Sequence, residues 1–536
     1  MNKRAGQRFW SMGTIIMLCL MLVLSACASN SGGKGNTTEQ EQTNAVKETA
    51  NTEQPATSSE PAKAEDEIVE LDIFIDQYWW PVKDFEGSVS KEITKRTGVK
   101  LNVTIAADEK QLPLMIASGE LPDLVATSDQ WMRMSDPSLS HDWKSLIDEH
   151  APHFEIDQER IAVNTMEDGN FYTIRNNFST TEEWEKNKNY ALLSGAGIAY
   201  RKDIAEEVGV TEINTLDDML NLFDKVKQKY PEMIPLALNS FWKKHFFAWQ
   251  FGAAWDHFDE QDGKIIHTLR TPELEKTYMF MNELYRRGFT NAENYALKNE
   301  DQTKALATSG KAFAYTWTTK VADALNAETE AQGMKWTNFP TKLSDEFRYI
   351  RMDTGWQGLF ITKNNKNVAA AIKLAQFLMS EEGQRLSFYG IEGVDYNMSP
   401  DDGYPIYTFN YMSEEEKSKR GIAWGMLAGS AVHELISTYV PDSEEVVVRR
   451  QLMDNTEFNW AMGLIKSPPN DTEESVIATN IKTMIENEET KVYLAETEEE
   501  ARQQFQKMVE QAEKMGMAKL EEWANKKYVE SLKLFK

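Results

Sequence analysis

The chain has 536 residues, 41% of them hydrophobic and 27% charged. These proportions are ordinary for a globular protein, but the length exceeds one ordinary core, so two lobes are expected. The formal net charge of −27 excludes a general nucleic-acid-binding role, because phosphates demand Lys and Arg, and it disfavours a polyanionic ligand.

Both cysteines, Cys19 and Cys27, lie near the N-terminus, which leaves the rest of the chain without a disulfide or a cysteine metal site. Lys3, Arg4 and Arg8 form a basic region ahead of an apolar run at 15–24, too short and too early for an ordinary membrane span. The run ends in Leu24-Ser25-Ala26-Cys27, small residues before a cysteine, as in the site cut by lipoprotein signal peptidase. A secretory signal that merely contains a cysteine is the plainer alternative. The agreement of charge, apolar run and residue order favours a lipoprotein signal over residues 1–26, with Cys27 as the lipidated first residue of the mature protein. Two or more acyl chains on one cysteine anchor stably where a single chain is marginal. Residues 27–66 are then a tether: after Cys27 they are Ser, Thr, Gly, Gln, Asn, Glu and Ala with almost no large apolar residue, a composition that cannot bury enough surface to fold. As a flexible coil such a tether reaches roughly 35 Å.

The folded part opens with a predicted strand at 68–75, a helix at 89–97 closed by Gly98, and a cleanly alternating strand at 99–105. A helix at 111–118 and a strand ending at Val125 follow. This β-α-β-α-β order predicts a parallel sheet. Ligands in such sheets bind beyond the carboxyl ends of the strands, which places Trp79, Trp80, Asp129 and Trp131 near one wall of a cleft. Thr215 caps the next helix, with Asp217 and Asp218 in its first turn. Residues 246–255 read as an aromatic helix, Asp262-Gly263 as a hairpin turn, 272–287 as an amphipathic helix and 311–317 as a strand. A strand at 359–362 precedes a helix whose apolar positions are Val368, Ala371, Ile372, Ala375, Leu378 and Met379. Ser380 caps a further helix that Gly390 ends. Near the C-terminus Ala501, Phe505, Met508, Ala512 and Met515 share one helix face, and Leu520, Trp523, Ala524, Tyr528 and Leu532 share the next, with Gly516 between.

The wording of several segments is more specific than their periodicity. Gly355–Asn397 reads GWQGLFITKNNKNVAAAIKLAQFLMSEEGQRLSFYGIEGVDYN, and "MIASGELPDLV", "GIAYRKD" and "GKAFAY" occur at 115–125, 197–203 and 310–315. Together they resemble family 1 extracellular solute-binding proteins, the substrate-capturing lipoproteins of carbohydrate ABC importers, and are most similar to the LipO-like branch. The resemblance covers nearly all of residues 68–535. It implies an α/β, two-lobed periplasmic-binding-protein-like fold of type II with the ligand cleft between the lobes. The lobes are expected at 67–180 with 355–410, and at 181–354 with 411–536. The partners implied are an oligosaccharide ligand, ABC transporter permease subunits and the membrane via the lipid anchor, on the outer face of a cell membrane; the long tether resembles Gram-positive examples. The sequence departs from relatives that carry a calcium loop after the Thr215 helix: Lys229-Tyr230-Pro231-Glu232 supplies no array of oxygen ligands, so no calcium is expected there.

No motif of catalysis is present. The seven histidines have no metal-ligand spacing, and there is no phosphate loop or nucleophile elbow. No cofactor is expected. The positive signal is fifteen tryptophans, since an indole gives a sugar ring a flat apolar platform at low entropic cost. Trp249, Trp460 and Trp523 sit on helix faces and are assigned to the core. Trp79, Trp80, Trp131, Trp242, Trp317 and Trp356 fall at strand ends or loops and are cleft candidates, with Tyr396 beside Asp395 as a further one. A non-enzymatic solute-binding protein is the leading reading. The alternatives are an extracellular carbohydrate-active enzyme, which would need catalytic carboxylates, and a peptide-binding or sensor lipoprotein, which shared fold does not exclude.

Overall fold

The computed structural model describes residues 68–254, 257–297, 299–465, 467–469 and 472–535; Cys27, the signal segment and the tether lie outside them. The chain divides between Ala64 and Glu65, and the second part is one compact unit. Every element below belongs to the second.

The first sheet starts with β1 (Val69–Ile75). Leu71, Ile73 and Ile75 enter the larger core of this lobe, while Phe74 points to the opposite face with Leu112 and Ile116, so the carboxyl half of the strand is buried on both sides as central parallel strands are, and Glu70 and Asp72 before it stay exposed. The helix Ser88–Thr97 leads through Gly98, in the left-handed region at φ 71°, to β2 (Val99–Ile105). The helix Gln111–Ser118 leads to β3 (Leu124–Thr127). Both β2 and β3 pair with β1 in parallel, as the sequence predicts.

The chain then crosses at residues 175–177 into a second sheet. It contributes β4 (Ala196–Arg201) and, after the helix Leu216–Lys229, β5 (Ile234–Ala237). That helix begins with a capping box: the Thr215 hydroxyl accepts from the Asp218 amide at 3.1 Å, and the Asp218 carboxylate accepts from the Thr215 amide at 3.0 Å. The aromatic helix spans only His245–Gln250, because Gly252 turns the chain at φ 74°. β6 (Phe258–Gln261) and β7 (Lys264–His267) form the expected hairpin, with Asp262 and Gly263 both at positive φ as a type I′ turn requires. After the helix Pro272–Arg286 come β8 (Ala312–Thr318) and β9 (Trp336–Asn338). The sheet order is β5-β8-β4-β9, with β5 parallel to β8 and β4 antiparallel to both β8 and β9.

β10 (Tyr349–Arg351) pairs with Thr456–Phe458. The chain then returns, and β11 (Gly358–Ile361) joins the first sheet antiparallel to β3, Gly358 opposite Thr127. The direction follows from the route: the returning chain enters at the carboxyl end of β3 and runs back along it. The helix Val368–Met379 packs on this sheet, and Glu381–Tyr389 packs on that helix. Ile422, Trp424 and Leu427 also join the first core, and the Trp424 indole donates to Ser90 Oγ at 2.9 Å. The helices Glu473–Tyr493, Glu498–Met515 and Met517–Ser531 cover the second core with Ile481, Phe505, Met508, Leu520 and Tyr528. Two sheets with separate cores and several crossings make the two-lobed, type II architecture that the resemblance implied. Among the described residues no helix is long and apolar enough to cross a membrane.

Candidate ligand-binding site

The crossings are tied to one another by backbone and amide groups. Asn176 donates its backbone N–H to the Gln357 carbonyl at 2.9 Å and accepts from the Gln357 N–H through Oδ1 at 2.8 Å. Its Nδ2 donates to the Met426 carbonyl, which also accepts from Gln357 Nε2 at 3.2 Å. Asn177, at φ 55°, donates its N–H to the Gly429 carbonyl at 3.0 Å. Three distant stretches of chain therefore meet in one polar knot.

A cavity of about 720 Å³ opens beside this knot. Trp79 and Pro81, beyond the carboxyl end of β1, form part of its wall, and Lys320 comes from the turn after β8. Phe388, Tyr411 and Met426 contribute from the chain after β11, and Glu434, Ser437 and Thr438 from the helix Ala431–Ser437 and its end.

The wall is an aromatic ladder. Trp79, 48% exposed, stacks on Trp356 with centroids 5.7 Å apart and planes at 22°. Behind it lies Trp80 at 6.4 Å, and Trp80 meets Trp424 at 6.2 Å in the core. The outer indole thus rests on two neighbours that hold it in place.

The floor is polar and charged. Glu434 Oε2 accepts from Asn177 Nδ2 at 2.9 Å, and Arg351 donates to Asn177 Oδ1 at 3.3 Å. Burial pushes the Glu434 carboxyl above its ordinary range, opposed by the nearby charges of Lys320 and Arg351. The other acids of the cavity have basic partners on their own helix: Glu414 with Lys417 at 2.7 Å and Glu415 with Lys419 at 2.6 Å.

The remaining candidates fall in different places. Trp80 is 0% exposed and Tyr396 is 2% exposed, so both lie within cores and offer a ligand no surface in this conformation. Asp129 is exposed after β3, and Ser128 Oγ donates to it at 2.9 Å. Trp131 is half-buried under the guanidinium of Arg175, 4.2 Å from its ring, and Arg175 in turn donates to Val163 and Thr354. Trp242 packs edge-on to Phe241 and His245. Trp317, at the end of β8, lies under the Lys304 ammonium at 5.3 Å. Of the eight candidates, Trp79 lines the cavity, and Trp356 reaches it only through its stack on Trp79. The Glu434, Ser437 and Thr438 set escaped the sequence reading, since a polar helix face carries no local mark of a cleft. One signal was available: Gly425 and Gly429 each approach the Phe388 ring so closely that a Cβ would sit 2.6 and 2.3 Å from it. Small residues four apart marked a close crossing.

Residues 79–385 match the family of bacterial extracellular solute-binding proteins. The chain belongs to that family. No curated protein sequence matches this solute-binding protein, but solved structures share its fold. An HMO-binding, ABC-transporter-associated solute-binding protein from Bifidobacterium longum infantis is 13% identical, with a TM-score of 0.66 over 86% of this chain and 98% of that one. The N-glycan transport solute-binding protein NgtS from Streptococcus pneumoniae is 15% identical, with a TM-score of 0.60 over 87% and 100%. The substrate-binding protein FusA of an S. pneumoniae ABC transporter, in complex with kestose, is 17% identical, with a TM-score of 0.65 over 86% and 99%.

Proposed function

We propose that this solute-binding protein is anchored to the outer face of the cell membrane through lipid on Cys27 and captures an oligosaccharide for an ABC-type permease. The observation that carries the ligand class is Trp79, held by its stack on Trp356, in the wall of a cavity with a polar floor. An indole face suits the apolar C–H face of a sugar ring, and Glu434, Lys320, Ser437 and Thr438 suit its hydroxyl rim. The HMO, N-glycan and kestose named for the structural neighbours belong to the same chemical class. Trp131, Trp242, Trp317 and Asp129 are proposed as outer contacts for a ligand longer than the cavity.

Binding without turnover is favoured by the acids themselves. Glycoside hydrolysis needs two carboxylates at set separations, one a proton donor and one free to attack or to activate water. Here Glu414 and Glu415 pair with lysines and Glu434 is held by Asn177. Ligand bridging the two lobes would stabilise their closed arrangement about the knot, and that arrangement is what a permease would read.

A thermal-shift screen with glycans and peptides side by side tests the reading. Stabilisation by mass action is expected from a glycan. Stabilisation by peptides alone, or shortening of the glycan by the purified protein, would replace it.

A further inference from the structure

The end of the first lobe remote from the cavity carries an open groove of about 1300 Å³. It is lined by the first residues of β1 and β2, Val69 and Val99, whereas the cavity lies beyond the last residues of β1. Seven residues of strand put roughly 20 Å between the two ends. In a chain of net charge −27, this groove is basic: Lys91, Lys95, Arg96, Lys366 and Lys373 line it, with His150. Lys95 and Arg96 share Glu92, and Arg96 also meets Glu382. Among the described residues Lys91, Lys366 and Lys373 pair with no carboxylate, and all three are exposed. Unspent cations gathered on one face of an acidic protein form a local field of opposite sign to the whole.

We propose that this groove is a docking surface for the headgroups of an anionic phospholipid membrane. It extends the membrane-tethered reading above, but rests on different residues. Ile68, the first described residue, lines the groove, so a tether running from the proposed anchor would meet the fold at this face. The rest of the molecule is acidic and is repelled by an anionic surface, which leaves this face as the one that approaches it. Each Lys or Arg near an anionic bilayer adds attraction that fades within a Debye length. Docked this way, the protein holds the cavity end of the sheet away from the lipid, turned toward incoming ligand. Tethering raises the local concentration of the surface, so weak docking suffices.

Residues 65–536 form the compact unit that holds both sheets and all four core clusters, and they lack Cys27. Co-sedimentation of this unit with vesicles therefore tests the groove independently of lipidation. Binding is expected to vesicles of phosphatidylcholine mixed with phosphatidylglycerol, to be absent with phosphatidylcholine alone, and to be lost in high salt. The variant K91E/K95E/K366E/K373E is expected to partition roughly 600-fold less, with melting temperature and glycan response retained. Lys373→Glu alone is expected to cost about 5-fold and serves if the fourfold variant folds poorly. Reversal of exposed second-lobe lysines, K482E/K507E/K514E/K526E, is expected to change partitioning little. An equal loss from that control, no binding to the mixed vesicles, or binding to soluble polyphosphate without binding to vesicles would each overturn the proposal. If Cys27 proves unlipidated while the groove binds vesicles, the anchor reading fails and the groove stands.

Discussion

Trp79 and Trp80 are adjacent in sequence, yet one is 48% exposed and the other 0%. No local pattern separates them, because which indole turns inward is decided by Trp424 and Phe85, far apart in sequence. Sequence reasoning finds that aromatic side chains gather at the end of a strand; it does not find which one lines the cavity. The two positions are expected to respond oppositely. Trp79→Ala is expected to leave melting nearly unchanged and to weaken the ligand found in the screen by roughly 30- to 1000-fold, on the scale of interface hot spots. Trp80→Ala is expected to cost about 3–5 kcal/mol of stability. Paired calorimetry and thermal melts check both. A different residue, Glu489, is buried in the second lobe, where it accepts from Lys244 at 2.6 Å and from the Tyr493 hydroxyl at 2.9 Å and also meets Lys243. Burial by itself would raise its carboxyl; Lys244 and Lys243 outweigh that and hold it down to about 2, below the ordinary 4.5. A depressed carboxyl stabilises the fold above pH 4.5, and that contribution is lost as pH falls from 4.5 toward 2. Glu489→Gln leaves the half-buried ammonium groups of Lys243 and Lys244 without their carboxylate and is expected to cost about 3 kcal/mol near neutrality, with a shallower acid limb. Denaturant midpoints measured across pH in both proteins check the sign.

At the scale of elements, β1, β2, the capped helix at Leu216, the Asp262-Gly263 hairpin and the two C-terminal helices were legible. Each is fixed by its own periodicity, caps or turn residues. The antiparallel arrival of β11 was not, because strand direction depends on the route through the other lobe and leaves no local trace. The knot of Asn176, Gln357 and Met426 escaped for the same reason: its partners are 181 and 250 positions from Asn176. Gly355 sits beside it at φ 110°, and an added Cβ would lie 2.5 Å from Arg175 Cβ. Gly355→Ala is therefore expected to lose about 1–3 kcal/mol through backbone strain, or more if the knot opens. Its melting temperature against that of Gly333→Ala, a left-handed glycine with open space around it, separates the crowding from the φ penalty.

For the whole molecule, the two lobes and the family were legible from length and wording, while the cavity floor was not. Its polar groups come from Lys320 and from the helix Ala431–Ser437, more than a hundred residues apart. The anchor lies outside the described residues and is a proposal: Cys27→Ala is expected to shift the protein from the membrane fraction to the medium, read by blotting both fractions, and undiminished retention would count against lipidation. The discontinuous first lobe also bears on how the protein is made. β3 is paired by β11 on one side, and Gly358 is 231 residues after Thr127. At a synthesis rate of about 5–20 residues per second, that edge waits roughly 10–50 s for its neighbour. An unpaired hydrophobic edge is a template for association with other chains. The nascent first lobe therefore needs shielding until just over two thirds of the polypeptide has emerged, and a chain stalled before β11 is expected to aggregate rather than to accumulate as a folded half.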